Sequence, residues 1–166
     1  MTFSRFNRDD LLKLSDQELL AHCRVSTRRG SGKGGQKRNV TESAVQLTLN
    51  DFPDISVSCD DTRSQQRNRS LALRRLRAQL ALQVRQEPNT VPPTIDPRPS
   101  EKNPDYPLWL GAVLDWLEAD GYRIGDTARR LGLSTGRLAR LLAEDPGLWR
   151  HINQERSRRG LKPLKS

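Results

Sequence analysis

Ser43-Ala44-Val45-Gln46-Leu47-Thr48-Leu49 and, after a short break, Ile55-Ser56-Val57-Ser58-Cys59 decide how the first half of this chain folds. Apolar residues occupy alternate positions in both runs, the period of a strand with one buried face. Asn50 to Asp54 supplies the turn between them. Downstream the period changes. Asn68 to Gln86 places Leu73, Leu76, Leu80 and Val84 on one stripe of a helix. Upstream, Ser15 and Glu18 have capping-box spacing ahead of Leu19, Leu20 and Ala21, which predicts a short helix to about Cys23. Arg24 to Arg29 alternates enough for a further strand. Gly30-Ser31-Gly32-Lys33-Gly34-Gly35 suits neither helix nor strand and is expected to be a loop. The whole predicts an α+β domain over residues 1–86, a small sheet with helices over one face.

Seven of the ten prolines fall between Pro88 and Pro107. Residues 87–107 therefore read as an extended, semi-rigid linker. Beyond it, residues 108–166 read as a small all-helical module. Trp109 to Ala119 carries Leu110, Val113, Leu114 and Leu117 at helical spacing. Trp109, Trp116 and Trp149 all lie in this part and are expected in its core. Ile124, Ala128, Gly132, Leu133, Leu138 and Leu141 match helix-turn-helix spacing, with the second helix starting near Thr135 and exposing Arg137 and Arg140.

Lys and Arg number 29 against 20 Asp and Glu, a formal charge of +9. Such an excess favours a polyanionic partner. No apolar run is long enough to span a membrane, so no membrane partner is expected. Arg5 and Arg8 have no apolar segment behind them, which argues against a secretory signal, and Asp9 and Asp10 argue against a mitochondrial one. Cys23 and Cys59 lack metal-ligand spacing, and His22 and His151 are the only histidines. Metal sites and a Ser-His-Asp triad are therefore not expected, no cofactor is implied, and inert thiols fit a cytoplasmic setting.

The glycine-rich segment is where chemistry concentrates. Adjacent Gly34 and Gly35 let backbone N–H groups turn toward a ligand with no Cβ in the way. Gln36 adds an amide that donates and accepts but is no general base. Arg24, Arg28, Arg29, Lys33, Lys37 and Arg38 surround it, and no acid lies between Arg24 and Val40. A phosphate-cradling nucleotide loop is a competitor, but it lacks the GK[ST] ending. A plain flexible linker is the bland alternative.

The run Gly32-Lys33-Gly34-Gly35-Gln36-Lys37-Arg38-Asn39, followed by Ser43-Ala44-Val45, resembles the GGQ domain of class I peptide chain release factors. Arg63-Ser64-Gln65, then Asn68-Arg69 and Ala72, resembles the start of that domain's long helix. The resemblance covers roughly Leu14 to Val84. It implies hydrolysis of the ester linking a nascent peptide to tRNA, inside the large ribosomal subunit, with water as nucleophile. Gln36 would stand at the ester, its backbone N–H stabilising developing negative charge, and Gly34 and Gly35 would permit that conformation. The implied partners are large-subunit rRNA and peptidyl-tRNA. Lys37, Arg38 and Gly30 depart from the family's usual pattern and add charge and freedom at the loop base. The 166 residues leave no room for the codon-reading domains of decoding factors, so a codon-independent, ribosome-rescue member is the expectation that the resemblance implies.

Thr62 to Gln86 holds seven arginines and no acid. Arg63, Arg67, Arg74 and Arg77 are expected to share a face opposite the leucine stripe. With Arg28, Arg29, Lys33, Lys37, Arg38 and Asn39 they form the expected RNA-binding set. Arg137 and Arg140 are candidate contacts to an additional protein or nucleic acid. The alternative function is a non-catalytic nucleic-acid-binding protein directed by the helix-turn-helix module.

Overall fold

The computed structural model describes residues 6–29 and 42–165. They form seven helices and one three-stranded sheet, an α+β composition. The chain divides into two compact units, Met1–Val84 and Arg85–Ser166.

The first unit opens with α1 (Arg8–Lys13) and α2 (Asp16–Ala21). Each starts with a capping box, Asn7 with Asp10 and Ser15 with Glu18, so that the orphan N–H groups of very short helices are satisfied. Three antiparallel strands follow, β1 (Cys23–Arg28), β2 (Ala44–Leu49) and β3 (Ser56–Cys59), in the order β1-β2-β3. Val45, Leu47 and Leu49 of β2 and Val57 and Cys59 of β3 are buried where α3 (Gln65–Gln83) packs over these two strands. The helix answers with Ala72, Leu73, Leu76, Leu80 and Ala81. The opposite side of the sheet is polar, with Thr48 Oγ1 2.9 Å from Ser56 Oγ and Gln46 Nε2 donating to the same hydroxyl at 3.2 Å.

Two details differ from the sequence expectation. The helix begins three residues earlier than Asn68, because Ser64 caps it by accepting from the Arg67 N–H. It also stops before Val84, which is extended and only half-buried. The Arg8 guanidinium, itself buried, donates to the Val84 carbonyl at 3.0 Å. A cation there satisfies an orphan C-terminal acceptor and complements the helix dipole. The α1 helix that carries Arg8 was not anticipated, since six residues with two leucines show no period.

Asn68 is the polar centre of this unit and is fully buried. Its Nδ2 donates to the carbonyls of Ser43 and Thr62, both at 2.8 Å. Its Oδ1 accepts from the Thr62 N–H and hydroxyl, both at 2.9 Å. One side chain thus ties the start of β2, the β3–α3 turn and the helix.

The second unit contains α4 (Tyr106–Ala119), α5 (Ile124–Arg130), α6 (Thr135–Ala143) and α7 (Pro146–Arg158). Their core is built from Leu110, Val113, Leu114, Leu117, Leu138, Leu141, Leu142, Leu148 and Ile152. Trp109 and Trp116 are buried as expected, whereas Trp149 is half-buried. The proline-rich stretch, read from sequence as a linker, lies against this unit. Ile95 is buried and its carbonyl accepts from Trp109 Nε1 at 2.9 Å. The Arg98 guanidinium lies over the Tyr106 ring, 4.9 Å from its centroid. The Tyr106 hydroxyl donates to Asp145, which also caps α7 through the N–H groups of Gly147 and Leu148. The basic C-terminal end folds back as well, with Leu164 N donating to Asn153 Oδ1 at 2.7 Å and Arg156 donating to the Lys162 carbonyl. No helix among the described residues is long and apolar enough to cross a membrane.

Two substitutions test these assignments. Asn68→Asp keeps size but removes both amide donors, leaving the Ser43 and Thr62 carbonyls short of partners. It should cost about 3 kcal/mol in urea unfolding. Ile95→Ala should destabilise the second unit by about 3 kcal/mol, as a core truncation does, whereas a true linker position would show no change.

Candidate nucleic-acid and ester-hydrolysis site

The segment 30–41 leaves the end of β1 and returns at the start of β2. Gly34, Gly35 and Gln36, together with Lys33, Lys37, Arg38 and Asn39, lie outside the described residues. What is described is the base on which they stand. Arg28 and Ala44 are register partners, as are Thr27 and Val45, so the two ends of the segment are held side by side. Three side chains clamp the returning end. Gln65 Nε2 donates to the Glu42 carbonyl at 3.0 Å, Asn68 Nδ2 holds the Ser43 carbonyl, and Thr27 Oγ1 meets the Glu42 carboxylate at 3.4 Å. Two of these clamps come from the first turn of α3. Gln65 and Asn68 stood in the second motif block without a role; they position the segment's base, and only their buried contacts make that visible.

The cations sort by what they touch. Arg28, Arg29, Arg63, Arg67 and Arg74 are exposed, and among the described residues none of them pairs with a carboxylate. Arg77 is different, and its placement with the solvent-facing arginines is corrected. Its guanidinium donates to Asp16 at 2.6 Å and to the Leu14 carbonyl at 2.9 Å, and its side chain is only 14% exposed. It is a strut from α3 to the start of α2, where a cation joins two elements. Arg75, next on the helix, pairs with Asp61 at 2.6 Å.

The second unit neutralises its arginines internally. Arg137 is held by Asp96 in a two-pronged pair, its Nε donating at 2.6 Å, and the guanidinium keeps the Asp96 carboxyl below its ordinary range. Arg123 and Arg129 share Asp126, Arg130 pairs with the buried Asp120, and Arg158 and Arg159 share Glu155. Arg140 is exposed and donates only to the Gly136 carbonyl. Of the two arginines expected on α6, one is thus available and one is engaged.

Neither cysteine is a nucleophile in waiting. Cys59 is buried, and burial pushes the Cys23 thiol up to about 11 while its Sγ donates to the Leu19 carbonyl at 3.2 Å.

The RF-1 domain family matches residues 15–101, more than half of the chain. The chain belongs to the class I peptide chain release factor superfamily. Peptide chain release factor 2 of Chlamydia pneumoniae is 49% identical over 65 residues, which make up 39% of this chain and 17% of that protein. Peptide chain release factor 1 of Leptothrix cholodnii is 47% identical over 68 residues, 40% of this chain and 18% of that protein. Peptide chain release factor 2 of a Sulfurovum species is 40% identical over 73 residues, 43% and 19% respectively. The chain therefore matches under a fifth of the length of these release-factor relatives. Membership in the release-factor superfamily is consistent with the clamp described above, because a segment inserted between two paired strands needs its ends fixed.

Thiol labelling checks the absence of a cysteine nucleophile. At pH 8 a thiol titrating near 11 is about one part in a thousand thiolate. Both cysteines of the folded chain should therefore react with a disulfide reagent far more slowly than in urea. Rapid labelling of either one in the folded chain would contradict this.

Proposed function

We propose that this chain hydrolyses the ester of peptidyl-tRNA on the ribosome, with Gly34, Gly35 and Gln36 as its catalytic residues. The observation that carries the reading is the clamped base. A release-factor family member holds the two ends of its Gly34-Gly35-Gln36 segment together through the β1–β2 register and through Gln65 and Asn68. The described residues at both ends of the segment are therefore fixed side by side. In the reaction, water attacks the ester carbonyl and the bond to the ribose oxygen breaks. A peptide carboxylate and a free ribose hydroxyl result. The Gln36 N–H stabilises the oxyanion, a donor worth roughly 3 kcal/mol of barrier. Gly34 and Gly35 leave room for that approach. This scheme needs no metal, cofactor, histidine or carboxylate base from the chain, since rRNA and tRNA complete the site.

Release is codon-independent in this proposal, acting in the cytoplasm on ribosomes stalled with nascent chains. Residues 1–86 form the hydrolytic domain. Arg28, Arg29, Lys33, Lys37, Arg38, Asn39, Arg63, Arg67 and Arg74 supply phosphate contacts. We read α5 and α6 as a helix-turn-helix-like pair. Gly132 at φ +70° and the buried Ala128, Leu138 and Leu141 support it. This module recruits an additional protein or nucleic acid. Its internally paired arginines weigh against duplex DNA as the directing ligand, and with that against the non-catalytic reading.

The test is peptide release from ribosomes with no codon in the A site. Wild type should release peptide, with a rate that a stop codon does not raise. Gly35→Ala should lower the rate at saturation by at least about a hundredfold with ribosome affinity changed less than threefold. Equal losses of rate and affinity would indicate a docking defect and remove Gly35 from the chemistry.

A further inference from the structure

We propose that the outer face of the three-stranded sheet is a second RNA-binding surface, which grips the backbone of double-helical RNA from the side opposite α3. The proposal rests on the ribosome-directed reading and adds where, and in what form, the RNA is met.

Register fixes which side chains share that face. Val45, Leu47 and Leu49 point to α3, so Gln46 and Thr48 point away. Their register partners on β1 are Ser26 and Arg24, and on β3 Ser58 and Ser56. Arg28 follows two positions after Ser26. Leaving aside Ala44, the paired positions on this face are guanidinium, hydroxyl or amide throughout. Arg24, Ser26, Arg28 and Ser58 are exposed. Among the described residues neither Arg24 nor Arg28 pairs with a carboxylate. The Thr48–Ser56 and Gln46–Ser56 hydrogen bonds hold the central polar groups in place.

The charged groups at the paired positions of this face, Arg24 and Arg28, are both cations, and the nearest acid along β3 is Asp60, two positions after Ser58. The face has no apolar side chain to enter a lipid surface or a protein groove. Among the described residues its paired positions carry no aromatic ring on which an unpaired base could stack, and the rings just beyond the start of β1, His22 and Phe6, pack edge to face on each other at 4.6 Å. What remains is phosphate for Arg24 and Arg28, about 13 Å apart along the strand, and ribose 2′-hydroxyls for the Ser, Thr and Gln groups between them. The 2′-hydroxyl requirement favours RNA over DNA. On the other side of the unit, Arg67 and Arg74 sit two turns apart on α3, exposed and away from the apolar stripe. The unit is therefore cationic on both flanks, a distribution that fits a cleft walled by RNA and not a single flat surface.

The test is titration of the full chain against a mixed-sequence RNA duplex, the DNA duplex of the same sequence and an unpaired RNA, over a range of salt. Wild type should prefer the RNA duplex to both others. Arg24→Ala with Arg28→Ala should weaken duplex binding about tenfold or more and lower the salt slope by about 2. Both side chains are exposed and, among the described residues, neither pairs with a carboxylate, so the thermal midpoint should not move. Ser26→Asp removes no contact and sets a carboxylate between the two arginines; it should weaken binding in the same direction. Wild-type affinity and slope in both variants would overturn the proposal, as would a DNA duplex or unpaired RNA bound as tightly as the RNA duplex. Peptide release by the same preparations separates the two readings. Release with unaltered duplex binding sinks only the sheet surface, and absent release in wild type sinks the hydrolase.

Discussion

A single buried amide, Asn68, sets the architecture of the first unit. It makes four hydrogen bonds at 2.8–2.9 Å with no exposure to water. Asparagine is the residue type that can do this, with two donors and an acceptor oxygen on one planar group. Its two partners in these bonds belong to different pieces of chain, the segment's return at Ser43 and the turn at Thr62, and Asn68 itself sits on α3. Buried polar groups are costly unless fully paired. The same energetics that stabilise the node also forbid alternative placements of β2 against α3. The two ends of segment 30–41 inherit that rigidity through the β1–β2 register. Arg28 and Ala44, the described residues that flank the segment, are thereby held as register partners.

Electrostatics divides the chain differently from packing. Nearly every arginine described in the second unit has an intramolecular acceptor: Asp96 for Arg137, Asp126 for Arg123 and Arg129, Glu155 for Arg158 and Arg159. In the first unit Arg77 and Arg75 are spent on Asp16 and Asp61, but Arg24, Arg28, Arg63, Arg67 and Arg74 are not. Exposed pairs contribute little stability, yet they cancel the field a polyanion would feel. Among the described residues, the arginines without a carboxylate partner therefore lie mainly around the sheet and α3. In the second unit the proline-rich strap is pinned by Ile95 and Arg98.

Periodicity made β2, β3 and most of α3 readable, because Val45, Leu47, Leu49 and Val57 alternate and Leu73, Leu76 and Leu80 recur. Capping chemistry made α2 readable through Ser15 and Glu18. What stayed hidden depends on distant partners. Val84 fits the leucine stripe by number, but Ser64 starts the helix early and the chain turns away after Gln83. Arg77 has the spacing of an exposed arginine and becomes a strut only because α2 arrives beside it. One isoleucine among seven prolines gives no period, so Ile95 was invisible as a core residue. The glycine-rich motif lies outside the described residues, and the residues that hold its base, Gln65 and Asn68, were legible only as part of a resemblance.

The most direct measurement is the fate of peptidyl-tRNA in ribosomes that carry no codon in the A site, with the reaction run in water enriched in oxygen-18. Full-length chain added in substoichiometric amount should convert peptidyl-tRNA to deacylated tRNA and free peptide over repeated turnovers. One heavy oxygen should enter the new peptide carboxylate. Persistence of peptidyl-tRNA with the chain visibly bound to the ribosome would contradict the hydrolase reading, and so would release of a peptide bearing no water-derived oxygen.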